Sequence, residues 1–182
     1  MVAASVVQAQ NLVVNPGFET GDFTGWTVSG PNSSVEPRVG HTGIYAASFG
    51  AISPDVDNLS QFLATKIGQQ YIVSFFAQTP VFNIQPGHPN ALSLYFGGSL
   101  VTGPITISDG ATYTQYSYTV TANAASSKLL FVVSNDADFT QLDDISVVST
   151  VPEPGTLALL MGTSVTGAGF LARRRQRARQ AV

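Results

Sequence analysis

Between residues 11 and 150 the chain is a series of short runs rich in Thr, Val, Ile, Tyr and Phe. Gly, Pro, Asn, Asp or Ser breaks them about every ten residues. No stretch of this region keeps its apolar residues on the 3.6-residue helical period. Helix bundles and alternating strand–helix folds are therefore excluded, and a sandwich or barrel of strands remains. The runs predict strands at 11–14, 25–29, 35–39, 44–49, 59–65, 70–78, 91–96, 99–107, 113–121, 128–135 and 141–148. No internal repeat is visible, which sets propellers and solenoids aside.

Alternation assigns faces within the runs. In 70–78, Tyr71, Val73, Phe75 and Ala77 make the core face, with Phe76 and Gln78 opposite. In 91–96, Leu92, Leu94 and Phe96 face the core and Ser93 and Tyr95 face away. The run 128–135 is apolar on both faces, which predicts a covered central strand. Trp26, the single tryptophan, is expected in the core.

Charge divides the chain in two. Residues 1–152 carry three basic side chains (Arg38, Lys66, Lys128) against ten acidic ones, while five of the eight basic residues crowd into 173–179. An acidic body has no electrostatic footprint for nucleic acid. The absence of cysteine excludes disulfides, thiolate metal sites and thiol nucleophiles. The two histidines, His41 and His88, have no acid partner at readable spacing, and no Gly-x-Ser-x-Gly or phosphate-cradling glycine loop occurs. Asp136, Asp138, Asp143 and Asp144 form an acidic cluster. Adjacent strand residues point to opposite faces, so Asp143 and Asp144 are not a glycosidase pair, and Asp136 and Asp138 fall in a turn. The sequence offers no active site.

The ends read differently from the body. Residues 155–172 are uncharged and are closed by Arg173, Arg174 and Arg175. An 18-residue helix spans about 27 Å, enough for a bilayer core, and the arginines would leave the C-terminus in the cytoplasm. Before this span, Val151, Pro152, Glu153 and Pro154 form an extended spacer open to a processing enzyme. Residues 1–10 resemble the remnant of a signal peptide, with Val7-Gln8-Ala9 suiting cleavage after Ala9 and the basic region expected upstream of Met1. The domains expected are thus 1–10, 11–150 and 151–182.

Val-Pro-Glu-Pro-Gly-Thr-Leu-Ala-Leu-Leu, a short apolar span and an arginine cluster, in that order, resemble the PEP-CTERM sorting signal. The resemblance implies export through the inner membrane, transient anchoring there, removal of the tail by an exosortase, and release to the cell surface or beyond. The body carries a second resemblance. Asn11-Leu-Val-Val-Asn-Pro-Gly-Phe-Glu-Thr-Gly, the segments 40–47 and 68–75, and the closing Leu142-Asp-Asp-Ile-Ser-Val are similar to galactose-binding-like jelly rolls, a group that includes carbohydrate-binding modules. This implies a sandwich of two antiparallel sheets. It also implies a structural calcium site from Glu19, Thr42 and Asp143, with loop carbonyls completing the oxygen shell. Asp143 shares strand parity with Ile145 and Val147 and is expected to point inward, while Asp144 points out.

Sugar sites join aromatic platforms to amides and hydroxyls, and Phe76, Gln78, Ser93 and Tyr95 supply that mixture on the faces away from the core. The expected protein is an exported, non-enzymatic surface or matrix sandwich with a structural or adhesive role. The alternatives are a module recognising exopolysaccharide glycans and, with no active site to support it, a glycan-active enzyme.

Overall fold

Ten strands follow one another along the chain: β1 (Thr27–Ser29), β2 (Ser33–Pro37), β3 (Tyr45–Phe49), β4 (Asp57–Ala64) and β5 (Gln70–Thr79), then β6 (Ala91–Phe96), β7 (Ser99–Ile105), β8 (Gly110–Thr121), β9 (Ser126–Ser134) and β10 (Thr140–Ser149). The computed structural model describes residues 10–80, 90–107, 110–135 and 138–150. Residues 1–9 of the expected signal remnant 1–10, the sorting segment with Val151, Pro152, Glu153, Pro154 and its expected helix, Arg173, Arg174, Arg175, and also His88 and Asp136, lie outside the described residues. Among the described residues no helix is long and apolar enough to cross a membrane.

The strands form two five-stranded antiparallel sheets. Sheet A has the order β1-β4-β9-β6-β7, and sheet B the order β2-β3-β10-β5-β8. Alternation then does what the sequence requires of it. Leu59 and Leu63 of β4, Leu129, Phe131 and Val133 of β9, and Leu92, Leu94 and Phe96 of β6 bury one face of sheet A. Against them lie Ala47 and Phe49 of β3, Tyr71, Val73, Phe75 and Ala77 of β5, and Leu142, Ile145 and Val147 of β10. Phe75 and Phe131 meet edge to face across the sheets, centroids 5.1 Å apart. Trp26 is buried, stacks on Phe18 and donates its indole N–H to the Asn15 carbonyl at 3.1 Å.

A buried carboxylate ties the layers at one end. Asp57 opens β4 in sheet A, and its Oδ1 accepts the N–H of Asn32 at 3.0 Å. Its Oδ2 accepts those of Gly50 at 3.1 Å and Ala51 at 3.0 Å, all on segments flanking sheet B strands.

Two expectations are corrected. Residues 11–14 form no strand; Leu12 donates to the Val147 carbonyl, and the Asn11 side chain brackets Ile145 and Val147, beside the part of β10 that β3 does not reach. And β9 is central, but its outer residues Leu130 and Val132 are only half-buried, because no described layer covers the outside of sheet A.

Candidate functional site

The outer face of sheet B is shaped by one extra residue in β10. Register with β5 runs Leu142–Ala77 and Asp143–Phe76, then resumes at Ser146–Ser74. Asp144 sits in the bulge with φ of +47°, a left-handed conformation that Asp tolerates better than most residues. The bulge breaks the parity on which the inward direction of Asp143 was expected. Asp143 belongs with Phe76 on the outer face and is nevertheless wholly buried, because a loop closes over it.

That loop, residues 40–44, is held at both ends by carboxylates. Asp143 Oδ2 accepts the backbone N–H of His41 at 2.6 Å and of Thr42 at 3.2 Å. Glu19 accepts from Ile44 and Tyr45, its Oε1 at 3.0 and 2.9 Å. Thr42 Oγ1 donates to Asp144 Oδ1, and His41 Nδ1 pairs with Asp144 Oδ2, both at 2.7 Å. Gly43 has φ of +66°, and a Cβ there would fall 2.4 Å from the Glu19 carboxyl, so the turn needs glycine. Burial pushes the Asp143 carboxyl up to about 6; the adjacent Asp144 charge adds to this, and the three N–H donors from Asp144, His41 and Thr42 oppose it.

The clasp sets the His41 ring flat on Phe76, centroids 3.7 Å apart and planes 15° from parallel. Tyr113 of β8 stands edge-on to the same ring at 5.4 Å and donates its hydroxyl to the Val39 carbonyl at 2.7 Å. Burial first, and then the charges of Asp143 and Asp144, raise the Tyr113 phenol above its ordinary range. Beside this cluster runs a polar row across three strands, Ser48–Gln141–Gln78, each pair in register. Gln78 Nε2 donates to Gln141 Oε1. Two polar atoms in the row, Ser48 Oγ and Gln78 Oε1, are buried without a hydrogen-bond partner. Such atoms are costly unless something fills them.

The four residues expected to bind a ligand do not form one site. Phe76 and Gln78 lie on the outer face of sheet B. Ser93 and Tyr95, on β6, lie on the outer face of sheet A, on the opposite side of the sandwich. Tyr95 sits there in register with Leu130 and Leu100, and Ser93 lies against the β7 backbone at Gly103. His41, Tyr113, Gln141 and Ser48 were not anticipated. The sequence signal for Gln141 and Ser48 is a polar residue in a strand whose other face is apolar, and His41, in a loop, carries none.

Of the expected metal residues, Glu19 and Asp143 grip the two ends of one loop, and Thr42 sits between them. Among the described residues no three His, Cys, Asp or Glu side chains gather closely enough to hold a metal ion. The donors still suit a hard cation in kind. A Cβ on Gly17 would lie 3.2 Å from Asp143 Oδ1 and 3.5 Å from Asp144 Oδ1, so two carboxylate oxygens face the space beside Gly17. Carbonyl oxygens would have to complete a shell of six to eight.

Residues 150–176 match the family model described as the PEP-CTERM protein-sorting motif. The motif implies export and a C-terminus anchored in the membrane before processing. No curated protein matches the chain in sequence. Among solved structures, TmCBM61, in complex with beta-1,4-galactotriose, superposes with a TM-score of 0.62 at 23% identity, covering 78% of this chain and 99% of that one. The CBM22-1 xylan-binding domain of Paenibacillus barcinonensis Xyn10C gives 0.59 at 14% identity, covering 81% and 100%. A family 16 carbohydrate-binding module gives 0.53 at 18%, covering 76% and 99%. The chain is a sandwich with the fold of carbohydrate-binding modules, followed by a PEP-CTERM sorting motif.

Proposed function

We propose that the body is an adhesive, non-enzymatic module that binds a neutral glycan on the outer face of sheet B, and that an exosortase removes the tail after export. One observation carries the glycan reading: Ser48 Oγ and Gln78 Oε1, buried and unpartnered, lie beside the His41–Phe76 stack. Sugar hydroxyls both donate and accept, so they can satisfy a carbonyl and a hydroxyl together while an apolar sugar face lies on the aromatic edge. Catalysis is disfavoured by the engagement of the acids. Asp143 and Asp144 both hold the loop, so neither stands free across a cleft as glycoside hydrolysis requires.

The test is a glycan array followed by titration calorimetry on the best hit. A shallow site of this kind should give a Kd of ~0.1–1 mM, about 4–5.5 kcal/mol. Gln78→Ala should abolish the heat of binding and Tyr95→Ala, on the opposite face, should not, with melting curves recorded for both. The reverse pattern would move the site to sheet A, and an array with no hit would leave a purely structural role.

Calcium is proposed as a stabiliser of the clasp, held by Glu19, Thr42 and Asp143, and takes no part in recognising the sugar. A ligand bound only by the native state adds about 2.7 kcal/mol at a hundredfold excess over its Kd. Calcium after chelation should therefore raise the melting temperature by several degrees, and an unchanged curve would refute it.

A further inference from the structure

Each sheet ends in two edge strands, and three of the four edges carry devices that discourage pairing. β1 has three residues; β2 carries Glu36 and ends on Pro37; β7 is interrupted by Pro104 and pairs with β6 through two irregularities. Short edges, charges, prolines and bulges all blunt a strand against outside partners. β8 is neither short, charged nor broken by proline, and its one irregularity against β5 falls at its start, between Gly110 and Thr114. It runs twelve residues, about 40 Å at strand rise, as Gly-Ala-Thr-Tyr-Thr-Gln-Tyr-Ser-Tyr-Thr-Val-Thr, without charge or proline. It pairs with β5 on one side, and no described strand pairs with the other.

We propose that β8 is a docking edge for β8 of a second copy of this chain, antiparallel about a two-fold axis through Ser117. The sequence of the strand names the partner. Antiparallel pairing about Ser117 sets Tyr116 against Tyr118, Gln115 against Thr119, Thr114 against Val120, and Ser117 against itself. Aromatic pairs and Ser/Thr pairs are the favourable cross-strand combinations, and like charges, the unfavourable one, are missing. Tyr116 and Tyr118 are half-buried and stack on Phe75, at 5.3 and 6.4 Å, so the partner's tyrosines would complete a row already begun on the core-side face. A two-fold contact of this kind uses one patch twice and closes on itself.

The absence of cysteine makes the test direct. In the full chain held in detergent, Ser117→Cys should be joined into a covalent dimer by a short bismaleimide. Ser29→Cys, equally exposed on β1 at the far edge, should not. The unmodified chain should have a dimer's mass, and Ser117→Lys, which sets two like charges on the axis, should be monomeric with the parent's circular dichroism spectrum and a melting temperature that no longer depends on protein concentration. Cross-linking of Ser117→Cys no greater than that of Ser29→Cys would overturn the proposal. So would a dimer that survives Ser117→Lys, which would place the contact elsewhere.

Discussion

Replacing Asp57 with alanine tests whether the tie between the sheets is made of hydrogen bonds or merely of packing. Three backbone N–H groups, from Asn32, Gly50 and Ala51, point at this one carboxylate, which is wholly buried. In Asp57→Ala the Asn32 and Ala51 N–H groups lose their acceptor, while the Gly50 N–H keeps the Asn32 carbonyl at 2.9 Å. A buried unmade donor costs about 1–3 kcal/mol, and removing the carboxylate returns part of that by ending its own desolvation, so for two donors the net loss should be about 2–4 kcal/mol. For a body of this size, that lowers the melting temperature by about 10 °C. Asp57→Asn keeps one oxygen, which can turn toward Gly50 and Ala51 and leave only the Asn32 donor unmet. Its loss should be about half as large. Circular dichroism melts of the three chains decide the matter. An alanine variant within about 2 °C of the parent would refute the donor count, and an asparagine variant as damaged as the alanine one would show that charge outweighs geometry.

Further outcomes follow from the clasp and the tail. The Asp143 carboxyl, raised to about 6, binds its proton in the folded body before the unfolded chain does near pH 4. The stability it contributes is therefore present below about pH 4 and is lost as pH rises through about 6, about 3 kcal/mol in all. Urea midpoints measured in chelator should fall from about pH 4.5 to pH 7, and Asp143→Asn should flatten that slope; a rise would reverse the sign. Gly43→Ala forces a Cβ onto the Glu19 carboxyl at a positive φ, so it should destabilise by about 1–3 kcal/mol and weaken any glycan bound beside His41, read by melting and calorimetry. In a host that carries an exosortase, intact mass of the surface protein should lack the residues beyond about Pro154, and recovery of chains ending at Val182 would contradict processing.

The strands and their faces were legible because alternation is local. Ten of the eleven expected runs became strands, and the core faces of β5 and β6 fell where Val73, Phe75, Leu92 and Leu94 put them. Which sheet a strand joins is not local. β5 and β6 are consecutive in sequence yet belong to different sheets, so Phe76 and Tyr95, each rightly placed away from the core, ended on opposite sides of the sandwich. Asp143 shows a second limit. Parity predicts burial for it, and it is buried, but by the loop at 40–44 rather than by the core, since a single left-handed residue at Asp144 shifted the count. His41 reached Phe76 through bonds to residues more than a hundred positions away, which no window of sequence displays.

The position of β10 has a mechanical consequence. The sorting tail continues from Thr150, one residue past the end of this strand, and β10 lies in the middle of sheet B, bonded to β3 and the 11–13 segment on one side and to β5 on the other. While the tail is anchored, a tug on the body enters a central strand lengthwise. Its ladder is then loaded in shear, with many bonds resisting together, where an edge strand would be peeled bond by bond. Gln141 sits on the same strand, near the end remote from the tail, so drag on a bound glycan and the hold of the anchor would act along one line of backbone. Single-molecule pulling through Thr150 should accordingly meet a higher rupture force than pulling through Thr121 at the end of β8.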